Sequence, residues 1–174
     1  MNKSDIQKLF IYQDGTLIWK HRDEMSNAWN GKNAGNQAGW VNAQGYRCVC
    51  VNKVDYRVSR VIWVFFNGDI PSKRFIDHID GNRQNNRIDN LRLATNMQNG
   101  WNRTKLPSNN TTGFIGVSKP KARAHTPKPY EASIQANGVS KYLGCFYTAE
   151  EASIARDKEA MRLHGEFASM SLMN

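Results

Sequence analysis

Long apolar stretches are missing from this chain. No run of eighteen apolar residues occurs, so no segment is expected to span a bilayer. The first thirty residues also lack the apolar centre of a secretory signal, and the expected location is the cytoplasm. Cysteine is scarce: Cys48, Cys50 and Cys145 form neither an even set nor a C-x-x-C pair. That pattern argues against a disulfide framework and a four-cysteine zinc site. Cys48 and Cys50 read as same-face residues of one strand, and the sequons at Asn109 and Asn110 carry no weight without a secretory route.

Acidic residues are also in short supply. The 15 Asp and Glu stand against 24 Lys and Arg, a formal net charge of +9 in 174 residues. Such an excess points to a polyanionic partner, with nucleic acid ahead of a membrane surface. With 40% hydrophobic residues the chain can bury one ordinary core or two small ones.

The polar, proline-containing stretch "TKLPSNNTT" divides two differently patterned segments. We place a linker at 105–111, an N-terminal module at 1–104 and a C-terminal one at 112–174; the expected class is α+β. The first module opens with strands at Leu9–Tyr12 and Leu17–Trp19 around an Asp14-Gly15 turn, followed by a Gly- and Asn-rich loop over 26–44 and a strand at Tyr46–Val51. Ser59 is expected to cap a short buried helix, "RVIWVFF", that ends before Asn67-Gly68. Next come a strand ending near Asp77-His78, a long loop, the strand "LRLAT", and a helix of about two turns with Thr95 and Gln98 at capping-box spacing.

The second module offers strands at "FIGVS", "YEASIQ" and "SKYLGCF". Thr148 and Glu151 then open a helix that runs to about His164, with Gly165 at its end. From Lys105 to Tyr147 there are six Lys or Arg against one acid, whereas 148–174 holds three against five. An anionic partner is therefore expected to meet the sheet rather than the helix.

The chemistry concentrates in "DHIDGNRQNNRIDN", Asp77 to Asn90. An isolated Asp-Gly-Asn is ordinarily a solvated turn. Here Asp77 and His78 are adjacent at the end of a strand, so their side chains leave on opposite faces. One can hold a cation while the other faces a water molecule, as hydrolysis of a phosphodiester requires. His78 can act as base, and a carboxylate with an amide oxygen favours Mg²⁺ or Mn²⁺ over zinc. His21, His125 and His164 read as structural or merely exposed.

The run "IDHIDGNRQNNRIDNLRLATNMQNGWNR" resembles the HNH nucleases of phage and intron origin over roughly residues 56–104. The resemblance implies a ββα-metal unit in which Asp77 and Asn99 bind one divalent metal ion, His78 activates water, and Asn90 bonds the loop backbone and holds His78. Asn82, Asn86 and Asn102 look like supporting positions, and Arg92, Asn102 and Arg103 would meet DNA. Asn99 stands where the family's name has a histidine, and "VSR" where many relatives have V-H-R.

The second module, "TGFIGVS" through "LHGEFA", resembles the AP2 (ethylene-response-factor type) DNA-binding domain, a three-stranded sheet backed by a helix. By position Ser118, Lys119, Lys121, Gln135, Lys141 and Tyr142 would face DNA, although Tyr130 stands where a Trp is common. The combined expectation is a monomeric, metal-dependent endonuclease acting on double-stranded DNA, of the phage homing or free-standing kind, working in the host cytoplasm. A non-catalytic DNA-binding regulator is the alternative, and an RNA-binding protein has less support.

Overall fold

The computed structural model describes residues 1–103 and 106–171, in two compact units, Met1–Asn96 and Met97–Asn174. The division falls ahead of the expected linker. Lys105, its first residue, lies outside the described residues. The remainder is locally ordered: Asn110 Oδ1 accepts from the backbone N–H of Thr112 and Gly113, and its Nδ2 donates to Phe114 O.

The first unit begins with α1 (Lys3–Leu9), closed by a reciprocal capping box between Asn2 and Asp5. The hairpin of β1 (Phe10–Gln13) and β2 (Thr16–Trp19) follows, with Asp14 and Gly15 both at positive φ in its two-residue turn. The expected 26–44 loop contains α2 (Asn27–Asn33) and β3 (Trp40–Val41). Ser26 caps α2 through Trp29 N–H, and the Trp29 ring packs edge-on against Trp19. β4 (Arg47–Val51) is the centre of a three-stranded antiparallel sheet between β3 and β5 (Val54–Arg57).

β5 runs directly into α3 (Val58–Asn67), whose cap residue is Arg57 without a side-chain cap bond. The expected cap at Ser59 is therefore corrected: Ser59 is buried inside the first turn, because the preceding residues extend into the sheet. Ile6, Phe10, Leu17, Trp19, Val49, Val58, Val61 and Ile62 form the core that joins α1, the hairpin, β4 and α3. β6 (Phe75–His78) and β7 (Leu91–Ala94) pair antiparallel, with Asp77 opposite Arg92 and His78 opposite Leu91. The loop between them ends in a 3-10 turn at Ile88–Asn90. α4 (Asn96–Trp101) comes next in sequence.

In the second unit β8 (Val117–Ser118), β9 (Tyr130–Ala136) and β10 (Val139–Phe146) form an antiparallel sheet with β9 in the middle. The first strand is shorter than the expected "FIGVS" because Phe114 turns in to pack on the core with Val117, Ala132, Ala149 and Ala152. α5 (Ala149–His164) covers one face. Thr148 Oγ1 accepts from Glu151 N–H, and the Glu151 carboxylate reaches the N–H of Tyr147, one residue before the cap. His164 stacks flat on Trp101, centroids 4.3 Å apart, and its Nε2 bonds Gln135 O at 3.1 Å. Burial lowers its pKa, as expected of a packed, neutral imidazole.

Candidate active site

Asp77 and His78 end β6 side by side, and both are buried, with 6% and 5% relative exposure. His78 Nε2 lies 3.1 Å from the side-chain oxygen of Asn86, itself buried, and the Asn86 amide group donates to Gln84 O. An acceptor at Nε2 puts the imidazole proton there, so in the neutral ring the basic lone pair is on Nδ1. Asp77 Oδ2 accepts from Arg92 Nε at 2.9 Å, and Arg92 Nη2 lies 2.9 Å from the same oxygen; Arg92 is the residue directly across the ladder. Arg92 thus lies within the site, beside Asp77.

The loop that follows is closed by Asn90. Its Oδ1 accepts from Asp80 N–H at 3.1 Å, and its Nδ2 donates to Asp80 Oδ1 at 2.9 Å and to Asn85 O at 2.8 Å. Asp80 also receives Asn85 Nδ2 and Asn82 N–H. Burial pushes the Asp80 carboxyl up, but the amides of Asn85 and Asn90, the N–H of Asn82 and nearby His78 outweigh it and hold the group below its ordinary value.

The β1–β2 hairpin braces the far side of this loop. The Tyr12 hydroxyl oxygen accepts from Ile88 N–H at 3.1 Å, and Asp14 pairs with Arg87 at 2.6 Å. A Cβ on Gly15 would come within 2.8 Å of Arg87 N, so the turn needs glycine both for its positive φ and for this approach. The bracing matters because Arg87 follows Asn86, the partner of His78.

A divalent cation can be tested against these donors. Asp77 presents a hard carboxylate, whose Oδ2 meets Arg92. Among the described residues no group of three or more His, Cys, Asp or Glu is placed to hold a metal ion. The Asp77 carboxylate is a hard donor of the kind that Mg²⁺ or Mn²⁺ takes. Asn99 lies on α4; it belongs to the second unit, as do buried Asn102 and exposed Arg103, which follow that helix.

On the sheet of the second unit, register sorts the other expected contacts. Ser118 pairs with Glu131, Ser140 with Gln135 and Tyr142 with Ser133, which puts Ser118, Gln135 and Tyr142 on the face away from the buried Ala132 and Ile134. Lys141 instead stands opposite Ile134, and its Nζ bonds Glu159 of α5 at 2.8 Å. It therefore departs from the expected face, because strand alternation turns it to the helix side. Lys121 is exposed in a 3-10 turn at Lys121–Arg123, and the exposed Lys119 has its Nζ 5.3 Å from the Tyr130 ring centroid. Arg123 is paired with Glu131.

Sequence reasoning left Asn86 as one supporting amide among several and did not find the Arg92–Asp77 pair. The first was hidden in an asparagine-rich run, whereas the second could have been read from strand register.

Residues 56–101 match the family model described as HNH endonuclease. The chain is 50% identical over 62 residues to Protein 3.8 of Escherichia phage T7, covering 36% of this chain and 50% of that protein. It is 37% identical over 106 residues to "Uncharacterized HNH endonuclease L560" of Acanthamoeba polyphaga mimivirus, covering 61% of this chain and 51% of that one. The chain thus spans about half the length of these curated relatives. A solved structure titled "DNA binding and cleavage by the HNH homing endonuclease I-HmuI" aligns at 17% identity and a TM-score of 0.42, over 94% of this chain and 90% of that one. The segment that carries Asp77, His78 and Asn90 thus lies within the residues that match the HNH endonuclease family model.

Proposed function

We propose that the chain is a metal-dependent endonuclease that hydrolyses phosphodiester bonds in duplex DNA. The observation that carries this reading is buried His78, its Nε2 tied to Asn86, inside a segment that matches the HNH endonuclease family. In this reading His78 Nδ1 takes a proton from water and the resulting hydroxide oxygen bonds to phosphorus. The opposite P–O ester bond breaks, and the leaving sugar oxygen takes up a proton from solvent. By the family resemblance Asp77 and Asn99 would hold one Mg²⁺ or Mn²⁺, which would neutralise charge on the phosphate. Arg92 holds Asp77 in place, and Asn90 fixes the loop on which Asn86 sits.

The functional division is a nuclease module at 1–104 and an AP2-like DNA-binding module at 112–174, joined by 105–111. Ser118, Gln135 and Tyr142 share the sheet face that would meet DNA, with Lys119 and Lys121 at its margin and Asn102 and Arg103 beside the nuclease helix. The viral sources of both relatives favour a phage-borne homing or free-standing enzyme acting in the host cytoplasm; a monomer is the expected state.

The test is incubation of the whole chain with supercoiled plasmid and with RNA, in Mg²⁺, in Mn²⁺ and in chelator. Nicked or linear plasmid only in the presence of metal is the expected result. Binding of duplex DNA without cleavage in any metal would identify the chain as a regulator, and preferential cutting of RNA would overturn the choice of substrate.

A further inference from the structure

Tyr46, immediately before β4, carries two guanidinium groups on its ring. Arg57 Cζ lies 4.0 Å and Arg83 Cζ 4.8 Å from the ring centroid. The same ring is 6.3 Å, centroid to centroid, from His78. Arg57 ends β5 and Arg83 sits in the loop after Asp80-Gly81, anchored by an Nη1 bond to Gln44 O at 2.8 Å. All of these residues belong to the first unit.

We propose that Arg57 and Arg83, stacked on Tyr46, are a phosphate-binding platform that seats the nucleic-acid backbone beside His78. This deepens the nuclease reading and rests on it. Most other arginines with a described partner are neutralised: Arg22, Arg87, Arg92, Arg123, Arg156 and Arg162 each pair with a carboxylate. Among the described residues no carboxylate pairs with Arg57 or Arg83, and both are exposed.

Two like charges that share one ring repel each other, a cost that a purely structural cluster would relieve with an acid. A bound phosphate relieves it instead. A guanidinium laid face-on over an aromatic ring keeps its N–H edges pointing outward, and that fork matches two phosphate oxygens. The ring limits the freedom of both side chains, so less entropy is lost when the anion arrives. The platform reads backbone charge rather than base edges, and its role is to position a phosphate for a base held at its flank.

The experiment measures binding of the whole chain to a labelled duplex in chelator across a salt series, and then nicking in Mg²⁺. For R57A/R83A the slope of log affinity against log salt is expected to fall by about 2, with roughly tenfold weaker binding at low salt. R57K/R83K should recover most of the slope, because it restores charge, but less of the affinity, because the stacked fork is lost. That recovery separates a charge effect from misfolding. An unchanged slope in R57A/R83A overturns the platform even if the wild type cuts DNA and H78A does not. A lysine variant as deficient in slope as the alanine one also overturns it. A wild type that shows the expected slope difference yet cuts no duplex overturns the nuclease reading and leaves the platform standing.

Discussion

His78 Nε2 and Asn86 Oδ1 are 3.1 Å apart, both in buried side chains of the same loop-and-strand segment. The contact fixes which nitrogen of the base carries its proton. Asn86→Ala is expected to slow plasmid nicking about 10- to 100-fold, a part of the roughly 10²- to 10⁴-fold that a positioned base contributes. Binding of duplex DNA should be unchanged, and Asn86→Asp should restore much of the rate because a carboxylate also accepts from Nε2. Nicking rates at saturating DNA check this; an Asn86→Ala enzyme at the wild-type rate would remove Asn86 from the account.

Arg92 and Asp77 form an ion pair, hydrogen-bonded through Nε, with both side chains almost fully buried. Removing one partner strands the other charge, so Arg92→Met is expected to cost about 3–5 kcal/mol of stability. The double variant Asp77→Asn/Arg92→Met should recover part of that loss, since no unpaired charge remains. Urea unfolding of the two variants tests it, and equal losses in both would show that the pair is not coupled.

The Asp80 carboxyl is held below its ordinary 3.8 despite burial, by Asn85, Asn90 and the Asn82 N–H. Such a group adds stability that is complete above its ordinary value and is lost as pH falls through the lower, folded value. Acidification below 3.8 should therefore loosen the 80–90 loop, and Asn90→Ala should bring that loosening to higher pH. Hydrogen exchange of the Asp80 and Asn90 amides against pH is the measurement; identical profiles in wild type and Asn90→Ala would contradict the clamp.

Much of the first unit was legible where pattern is strong: the Asp14-Gly15 hairpin, the apolar α3 and the strand that ends in Asp77-His78 all announce themselves by periodicity or turn chemistry. α1 did not, because within its span only Ile6 is fully buried and its capping box is Asn2 with Asp5 rather than the commoner Ser or Thr with Glu. α2 was hidden by Gly31 and its asparagines, and is held by tertiary contact between Trp29 and Trp19. Within the candidate site, the motif residues stand out in sequence. The groups around them do not, because Tyr46, Arg57 and Arg83 meet only once β4, β5 and the loop are assembled.

Glu159 is held down to about 2 by hydrogen bonds from Arg162 and Lys141, which outweigh the small effect of burial. Its contribution to stability is full above its ordinary 4.5 and is lost as pH falls from there towards 2. Lys141→Ala should raise the Glu159 pKa, measurable by NMR titration, and should leave DNA affinity nearly unchanged because Lys141 faces α5. Lys119→Ala/Lys121→Ala should instead weaken binding and lower its salt dependence. A large loss of affinity on Lys141→Ala alone would show that DNA approaches from the helix side.

The most direct measurement compares wild type and His78→Ala for nicking of supercoiled plasmid in Mg²⁺, with duplex binding measured in parallel. A base acts on the transition state more than on ground-state affinity. The expected result is wild-type binding with cleavage reduced by at least about 10²-fold. A His78→Ala protein that binds normally and nicks at near the wild-type rate would contradict the account.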